Sequence, residues 1–343
     1  MTNTQVDDKP FIDFFVGADT DEPAHGSSVI QANGIIEIEG VKLPINNPNI
    51  EDLEYIPPSS KYIETDFGIL KTLAVAVAMD DYMIVEGPTG SGKTDAIKHL
   101  ANLTNNPLRE LNLNGGVTVD ELLGHRIITQ EGTGFQYGDL PEAMRKGHWI
   151  LINEINAATP DALFCLFQLM DSQRRITLIE NKGEIIYPHK NFRMFATMNP
   201  NSEYAGTKEM NKALVDRFPQ KAVVDYPNSD IELKIIKSKP GLTKVNLKII
   251  KRAISFANMT RKAVKENTLS ESVSTRALIN WARVLAYSKC SSTAFLLTIL
   301  NKYDKHFRDV VEKAYELYFP EYQDYKEALK NPTLTPKPTE IEN

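Results

Sequence analysis

The chain has 343 residues, 42% of them hydrophobic and 24% charged, which is enough for a large globular core and a smaller second domain. Its formal net charge of -6 argues against nucleic acid as a partner, because neutralising phosphates requires clustered Lys and Arg. The two cysteines, Cys165 and Cys290, lie outside any CxxC pattern, which excludes a disulfide framework or a zinc site made from them alone.

The first 50 residues form a polar N-terminal extension that we expect to be partly flexible. A weak alternation over residues 29–45 around Asn33-Gly34 predicts a hairpin. An apolar island earlier in the extension is either a docking segment for another protein or a patch that packs on the chain's own sheet domain; it consists of Phe11, Ile12, Phe14 and Phe15. The N-terminus lacks the pattern of a signal peptide and no apolar run is long enough to span a membrane, so the sequence predicts a cytoplasmic protein.

Five short apolar runs, separated by helical stretches, follow within residues 51–227, the predicted α/β domain. They lie at residues 83–85, 108–113, 149–152, 192–198 and 222–224. Continuous rather than alternating apolar runs are typical of a parallel sheet that is covered by helices on both faces. Two further segments, 126–137 and 176–187, predict β-hairpins inserted outside this sheet, because charged residues interrupt them.

The character of the chain changes after Pro227. Residues 228–321 contain helical patterns and no strand-like run, which predicts a smaller helical domain. Residues 322–343 contain three prolines and are predicted to be a flexible tail. The predicted fold class is therefore α/β, with a central parallel sheet, β-hairpin insertions and a C-terminal helical domain.

A phosphate-binding loop lies directly after the first apolar run. Its sequence matches GxxxxGK[ST] and consists of Gly87, Pro88, Thr89, Gly90, Ser91, Gly92, Lys93 and Thr94. The glycines allow backbone N–H groups to turn towards phosphate oxygens, and the following helix adds the positive end of its dipole. Lys93 supplies a cation for the β- and γ-phosphates, and the Thr94 hydroxyl is a ligand for Mg2+. The sequence therefore predicts that ATP and Mg2+ bind here.

A group suited to ATP hydrolysis follows the apolar run at residues 149–152. Because sites in such folds lie at the carboxyl ends of parallel strands, Asn153 and Glu154 are expected to face the phosphates. Glu154 is predicted to orient and deprotonate the attacking water. Asn153 takes the place of the Asp that usually holds Mg2+ through its water shell, and an amide brings no negative charge. We therefore expect Asn153 to weaken metal retention and to slow hydrolysis.

These motifs, in this order, resemble the AAA+ superfamily and, within it, the MoxR-like and chelatase group. Residues 154–158, EINAA, resemble a sequence motif of MoxR-like ATPases. Residues 186–197 and 204–207 are similar to motifs of the cobaltochelatase ATPase subunits, the CobS family. The resemblance covers about residues 51–321. It implies an AAA+ P-loop NTPase fold in which the C-terminal helical domain is a lid.

The resemblance also assigns roles to three residues outside the phosphate-binding loop. Asn199 corresponds to sensor 1, which contacts water or the γ-phosphate, although a plain Asn-Pro-Asn turn is the alternative. Arg217 corresponds to the arginine finger, which stabilises transition-state charge in a neighbouring subunit. Arg276 corresponds to sensor 2. The family further implies a ring of identical subunits, expected to be a hexamer, and a partner with a von Willebrand factor A domain or another chelatase-type partner.

Three functions follow from this pattern. The first is an ATP-hydrolysing motor that remodels a protein partner. The second is an ATP-gated assembly switch that hydrolyses slowly or not at all, which Asn153 favours and which Glu154, Asn199 and Arg217 argue against. The third is a motor that acts on nucleic acid, which the acidic net charge disfavours.

Overall fold

The computed structural model describes residues 29–32, 34–113, 118–130, 132–200 and 212–331. The apolar island of the N-terminal extension and the resemblance at residues 204–207 lie outside these described residues. Within the described part of the chain, no helix combines the length and the apolar character needed to cross a membrane.

The described chain begins with a three-stranded antiparallel meander made of β1 (Val29–Ala32), β2 (Ile35–Ile38) and β3 (Val41–Pro44). Ile36, Ile38 and Leu43 point to one face and are buried in a core shared with helix α1 (Ile69–Met79). The predicted hairpin is confirmed, with a third strand added. Residues 35–44 of the predicted extension contribute Ile36, Ile38 and Leu43 to the core, whereas the side chains of β1 are exposed.

The chain then alternates strands and helices. In order these are β4 (Met83–Glu86), α2 (Lys93–Leu103), β5 (Leu108–Asn112), α3 (Val119–Leu123), β6 (Gly124–Thr129), β7 (Gly132–Tyr137), α4 (Asp139–Lys146), β8 (Trp149–Asn153), α5 (Pro160–Met170), β9 (Ile176–Leu178), β10 (Glu184–Ile186), β11 (Arg193–Met198), α6 (Lys212–Val215) and β12 (Gln220–Val223). The phosphate-binding loop occupies the connection between β4 and α2.

Five of these strands form one parallel sheet with the order β12-β4-β11-β8-β5. The inner strands β4, β8 and β11 are buried on both faces, which explains their continuous apolar runs. All five predicted strands are confirmed. Strand β12 begins at Gln220, two residues before the predicted run, because it is an edge strand with alternating exposure that a search for continuous apolar residues detects only in part.

The two predicted hairpins are confirmed as separate antiparallel pairs outside the central sheet, β6 with β7 and β9 with β10. They lie side by side, since Tyr137 Oη in β7 donates a hydrogen bond to Glu184 Oε2 in β10 at 2.8 Å. Arg126 in β6 donates to the carbonyl oxygen of Glu180 at 2.7 Å. Ile128 near the turn of the first hairpin is 95% exposed, so this hairpin projects an apolar side chain into solvent.

The lid begins after β12 and, up to residue 331, where the described chain ends, contains six α-helices. They are α7 (Ser229–Ser238), α8 (Leu247–Lys265), α9 (Thr275–Ser288), α10 (Ser291–Thr298), α11 (Lys305–Tyr318) and α12 (Glu321–Lys330). The flexible tail predicted for residues 322–343 is wrong for residues 322–330, because these residues form most of α12. Tyr322 and Ala328 of this helix are buried on the lid, and Tyr322 Oη donates to Glu312 Oε1 in α11 at 2.8 Å.

Three hydrophobic cores lie within the part of the chain that the structure describes. Alternate residues of β8 enter two of them, with Trp149 and Leu151 on one face of the sheet and Ile150 and Ile152 on the other. The third core lies within the lid and is rich in aromatic side chains, which are Phe256, Trp281, Phe295, Tyr315, Phe319 and Tyr322. The two tryptophans of the chain therefore lie in different domains.

Candidate nucleotide-binding site

The phosphate-binding loop turns sharply at two glycines whose backbone conformations disfavour other residues. Gly92 has a φ of 91° and is the N-cap of α2, while Gly90 has a φ of 77°. A Cβ atom on Gly90 would lie 3.1 Å from Cβ of Ser274 and 3.2 Å from Cβ of Arg276. The loop is thus packed directly against the start of α9 in the lid, where a side chain in place of Gly90 would crowd its neighbours.

Lys93 is the first residue of α2 and is 9% exposed. Its Nζ donates hydrogen bonds to the carbonyl oxygens of Gly87 at 2.6 Å and Pro88 at 2.8 Å. It also donates to Oδ1 of Asn199 at 3.1 Å. A buried cation therefore lies within the curve of the loop among partial negative charges. This arrangement fits a triphosphate, whose oxygens would offer the same ammonium full negative charges.

The predicted metal ligands lie next to each other. Oδ1 of Asn153 accepts hydrogen bonds from Oγ1 of Thr94 at 3.0 Å and from Oγ1 of Thr197 at 3.4 Å. Nδ2 of Asn153 donates to Oδ1 of Asn112, its neighbour across β5 and β8, at 3.0 Å. The bond to Asn112 fixes which end of the amide faces Thr94, so the oxygen of Asn153 is presented at the loop.

Within the described ranges no cluster of three or more His, Cys, Asp or Glu side chains could hold a metal ion. Thr94 and Asn153 offer two neutral oxygens, which fits Mg2+ because this ion usually keeps several waters and takes further ligands from substrate phosphates. These two residues would hold the ion from the protein side. Their lack of charge is the physical reason to expect weaker retention than at a carboxylate.

Glu154 follows β8 in a left-handed backbone conformation, with a φ of 55°. Its side chain is exposed and lines the same cavity as the loop. Its backbone N–H donates to Oγ1 of Thr197 at 3.3 Å, and Nδ2 of Asn156 donates to the carbonyl oxygen of Asn199 at 2.9 Å. These bonds tie the segment after β8 to the end of β11. Glu154 and Asn199 consequently face one space from two neighbouring strand ends.

The loop opens on a cavity of about 570 Å3 between the sheet domain and the lid, a size typical of small-molecule sites. Thr94, Asn153 and Glu154 line it. Apolar and aromatic side chains from both domains line it as well; they include Tyr62, Ile63, Pro227, Ile235 and Ile279. Polar and charged groups together with apolar side chains match the two halves of a nucleotide.

Tyr62 adds an aromatic surface to the wall of this cavity. Its ring stacks on that of His99 with centroids 5.0 Å apart. Burial, reinforced by Glu64, raises the pKa of Tyr62 well above its usual value, and burial lowers the pKa of His99. Both rings are therefore neutral at physiological pH, so this part of the cavity presents a flat, uncharged surface.

The two predicted arginines are placed differently. Arg276 is the second residue of α9, is exposed and lines the cavity. Arg217 follows α6, is also exposed and does not line the cavity of its own chain. Its guanidinium lies 5.0 Å from the ring centroid of Phe167 in α5. One chain thus brings together every predicted site residue except Arg217.

Sequence reasoning missed three residues that shape the site, Asn112, Tyr62 and Tyr226. Asn112 ends a strand beside the strand of Asn153, so the rule that polar residues cluster at carboxyl ends of strands applies to it as well. Tyr62 lies before α1, and no motif in the sequence marks it. Tyr226 Oη donates to the carbonyl oxygen of Thr89 at 3.1 Å, a contact between distant residues that no local pattern reveals.

The fold and the site define the class, a P-loop nucleotide-binding protein with a helical lid. Residues 82–218 match the AAA domain family of the dynein-related subfamily, and residues 232–309 match the CbbQ/NirQ/NorQ C-terminal family. Those two matches cover the sheet domain from β4 to α6 and most of the lid.

Curated relatives match this chain as well. Aerobic cobaltochelatase subunit CobS from Sinorhizobium sp. is 30% identical over 262 residues, 72% of this chain and 79% of CobS. An uncharacterized protein from Staphylococcus haemolyticus is 31% identical over 267 residues, 76% of this chain and 99% of that protein. Midasin from Dictyostelium discoideum is 35% identical over 159 residues, which are 46% of this chain but only 3% of midasin. The chain belongs to the AAA+ ATPases of the MoxR/CbbQ type, the group that includes CobS.

Lys93→Ala should weaken ATP binding by about a hundredfold or more, since a hydrogen bond to a charged group contributes about 1.5–3 kcal/mol and Lys93 can make more than one to a triphosphate. Calorimetric titration with ATP measures this, with thermal unfolding to show that the fold is kept. Lys71→Ala, which removes an exposed lysine on α1, is the control. Equal ATP affinity in Lys93→Ala and the intact chain would show that this loop is not the ATP-binding site.

Proposed function

We propose that the protein is an ATP-hydrolysing motor that assembles with copies of itself into a ring, expected to be a hexamer, and remodels a protein partner. The observation that supports this best is the placement of Arg217. The cavity of one chain contains a buried lysine, a carboxylate and Arg276, while Arg217 lies on the exposed surface away from that cavity. An arginine finger acts on the nucleotide of a neighbouring subunit, which requires this kind of exposure.

Each residue of the site would have a separate role in ATP hydrolysis. Mg2+, when bound with ATP, neutralises charge on the phosphate oxygens. Lys93 would bind the β- and γ-phosphates, and Asn199, already hydrogen-bonded to Lys93, would orient water or the γ-phosphate. Glu154 would accept a proton from the attacking water at its carboxylate oxygen. Arg276 would bind from the lid side and Arg217 from the next subunit.

The proposed partner is a protein with a von Willebrand factor A domain or another chelatase-type partner. Two points support this proposal: the resemblance to MoxR-like proteins and the match to CobS, which is named as a subunit of a cobaltochelatase. The net charge of -6 supports a protein client over nucleic acid. Copurification of the chain with its native partner, with ATP and without nucleotide, tests the proposal. A nucleic acid recovered in place of a protein would contradict it.

A second function, an ATP-gated assembly switch with slow turnover, is supported by one observation, the amide at Asn153. This switch and the motor differ in steady-state hydrolysis. Measuring ring assembly by light scattering together with phosphate release separates them, because a switch assembles on ATP binding and then releases almost no phosphate.

Asn153→Asp should lower the Mg2+ concentration needed for half-maximal turnover and raise the hydrolysis rate, because a carboxylate adds a full negative charge near the ion. The new Asp cannot donate to Asn112, so the Asn112 amide must turn to donate instead. Asp139 does not compensate in the natural chain, since it pairs with Arg109 at 2.7 Å and does not line the cavity. Glu154 remains as a neighbouring carboxylate that opposes the added charge.

Magnesium titrations of ATPase activity for the natural chain and Asn153→Asp measure the effect. Asn112→Asp is the informative companion, because it adds a carboxylate at the neighbouring strand end while Asn153 stays an amide. Identical magnesium curves for the natural chain and Asn153→Asp would show that the amide is a neutral replacement and that the site is not slowed by it.

A further inference from the structure

A short strip of the lid, residues 272–276, lies between the lid helices and the phosphate-binding loop. It contains Ser274, the N-cap of α9, and ends with Arg276, which lines the cavity. The strip touches the loop closely enough that a Cβ on Gly90 would lie 3.1–3.2 Å from two of its side chains. The position of the Arg276 guanidinium over the cavity therefore depends on how the strip is held.

The lid side holds the strip through a buried ion pair. Arg261 in α8 and Glu232 in α7 form two hydrogen bonds of 2.8 and 2.7 Å, and both side chains are buried. Arg261 Nε donates to the carbonyl oxygen of Val273 at 3.1 Å. Oγ1 of Thr275 donates to Oε1 of Glu232 at 2.7 Å. The strip is thus anchored to two lid helices on either side of Ser274.

Tyr226 connects this anchored strip to the loop. Its hydroxyl donates to the carbonyl oxygen of Thr89, inside the phosphate-binding loop, at 3.1 Å and shares a hydrogen bond with Oγ of Ser272 at 3.2 Å. The guanidinium of Arg261 lies 4.0 Å from the centroid of the Tyr226 ring. One side chain at the junction of the two domains therefore contacts the loop, the strip and the buried ion pair.

We infer that Tyr226 is a positioning residue that holds the strip, residues 272–276, against the phosphate-binding loop. Arg276 is thereby already placed over the nucleotide site before ATP binds. The inference rests on the proposed ATP-hydrolysing function. The ring and the hydroxyl of Tyr226 have different roles. The ring packs against the guanidinium of Arg261, and the hydroxyl forms the hydrogen bonds that connect the lid to the loop. Without the hydroxyl the strip stays attached to the lid but is less firmly held over the loop.

Tyr226→Phe tests this, because it removes one oxygen and keeps the ring under Arg261. We expect about tenfold weaker binding of a non-hydrolysable ATP analogue, the effect of two ordinary hydrogen bonds. We expect KM and kcat to shift in the same directions as in Arg276→Ala. In the Arg276→Ala background the same substitution should change affinity less than twofold, because a residue that acts through Arg276 loses its effect when Arg276 is gone.

Tyr322→Phe is the matched control, since it removes a lid hydroxyl that donates to Glu312, and neither residue lines the cavity. Its ATP affinity should equal that of the intact chain. A tenfold loss for Tyr226→Phe in both backgrounds would overturn the inference and show a general packing role. Unchanged affinity in Tyr226→Phe would overturn it as well. An intact chain that neither binds nor hydrolyses ATP would instead overturn the proposed function, and this is measured before any variant.

Discussion

Replacing Arg217 with alanine should lower ATP turnover by about a thousandfold or more while leaving nucleotide binding by the single chain nearly unchanged. The reason is geometric. Arg217 is exposed, stacks over Phe167 and does not line the cavity of its own chain, so its removal leaves that cavity intact. Steady-state phosphate release and calorimetric ATP titration measure the two quantities. Arg283→Ala, another exposed arginine outside the cavity lining, is the control and should keep full turnover.

Mixing two inactive variants shows whether Arg217 acts between subunits. A ring of Arg217→Ala and Glu154→Gln subunits contains some interfaces where an intact Glu154 meets an Arg217 from the neighbour. Activity should return in part at those interfaces, with a maximum at intermediate mixing ratios. If no ratio restores activity in rings confirmed to be mixed, Arg217 does not act in trans.

Glu154→Gln should bind ATP as tightly as the intact chain yet hydrolyse it about a hundredfold to ten-thousandfold more slowly, the range for removal of a general base. The substitution keeps the size of the side chain and its place at the end of β8, and it removes the negative charge together with the ability to accept a proton. Because ATP then persists, assembled rings should accumulate. Single-turnover hydrolysis and light scattering in the presence of ATP measure the two results.

The control for this variant is Glu266→Gln, which neutralises an exposed carboxylate at the end of α8. It should hydrolyse ATP at the rate of the intact chain. If Glu154→Gln hydrolyses ATP at that same rate, Glu154 does not act in the mechanism and is an ordinary exposed carboxylate.

The central sheet was predictable because its inner strands are buried on both faces. Such strands must be continuously apolar, and β8 with its run from Trp149 to Ile152 shows this directly. The phosphate-binding loop was predictable for a related reason. Its glycines and Lys93 must follow a strand at fixed spacing, so the whole arrangement is local in sequence.

The elements that escaped prediction depend on distant contacts. Strand β3 was not predicted beside the hairpin of β1 and β2, and packing against α1 places its Leu43 in the core. Helix α12 is polar overall, and its order depends on burying Tyr322 against the lid. The bonds of Asn153 to Asn112 and of Tyr226 to Thr89 join residues that are 41 and 137 positions apart. No periodicity carries such information.

The separation of the two tryptophans gives each domain an intrinsic fluorophore. Trp149 begins β8 in the core of the sheet domain, and Trp281 lies in α9 in the core of the lid. Replacing either with phenylalanine leaves tryptophan emission from one domain alone. Chemical denaturation of the two single-tryptophan variants can then be followed without an attached dye. Coincident transitions would mean that the lid and the sheet domain unfold as one cooperative unit, and distinct transitions would rank their separate stabilities.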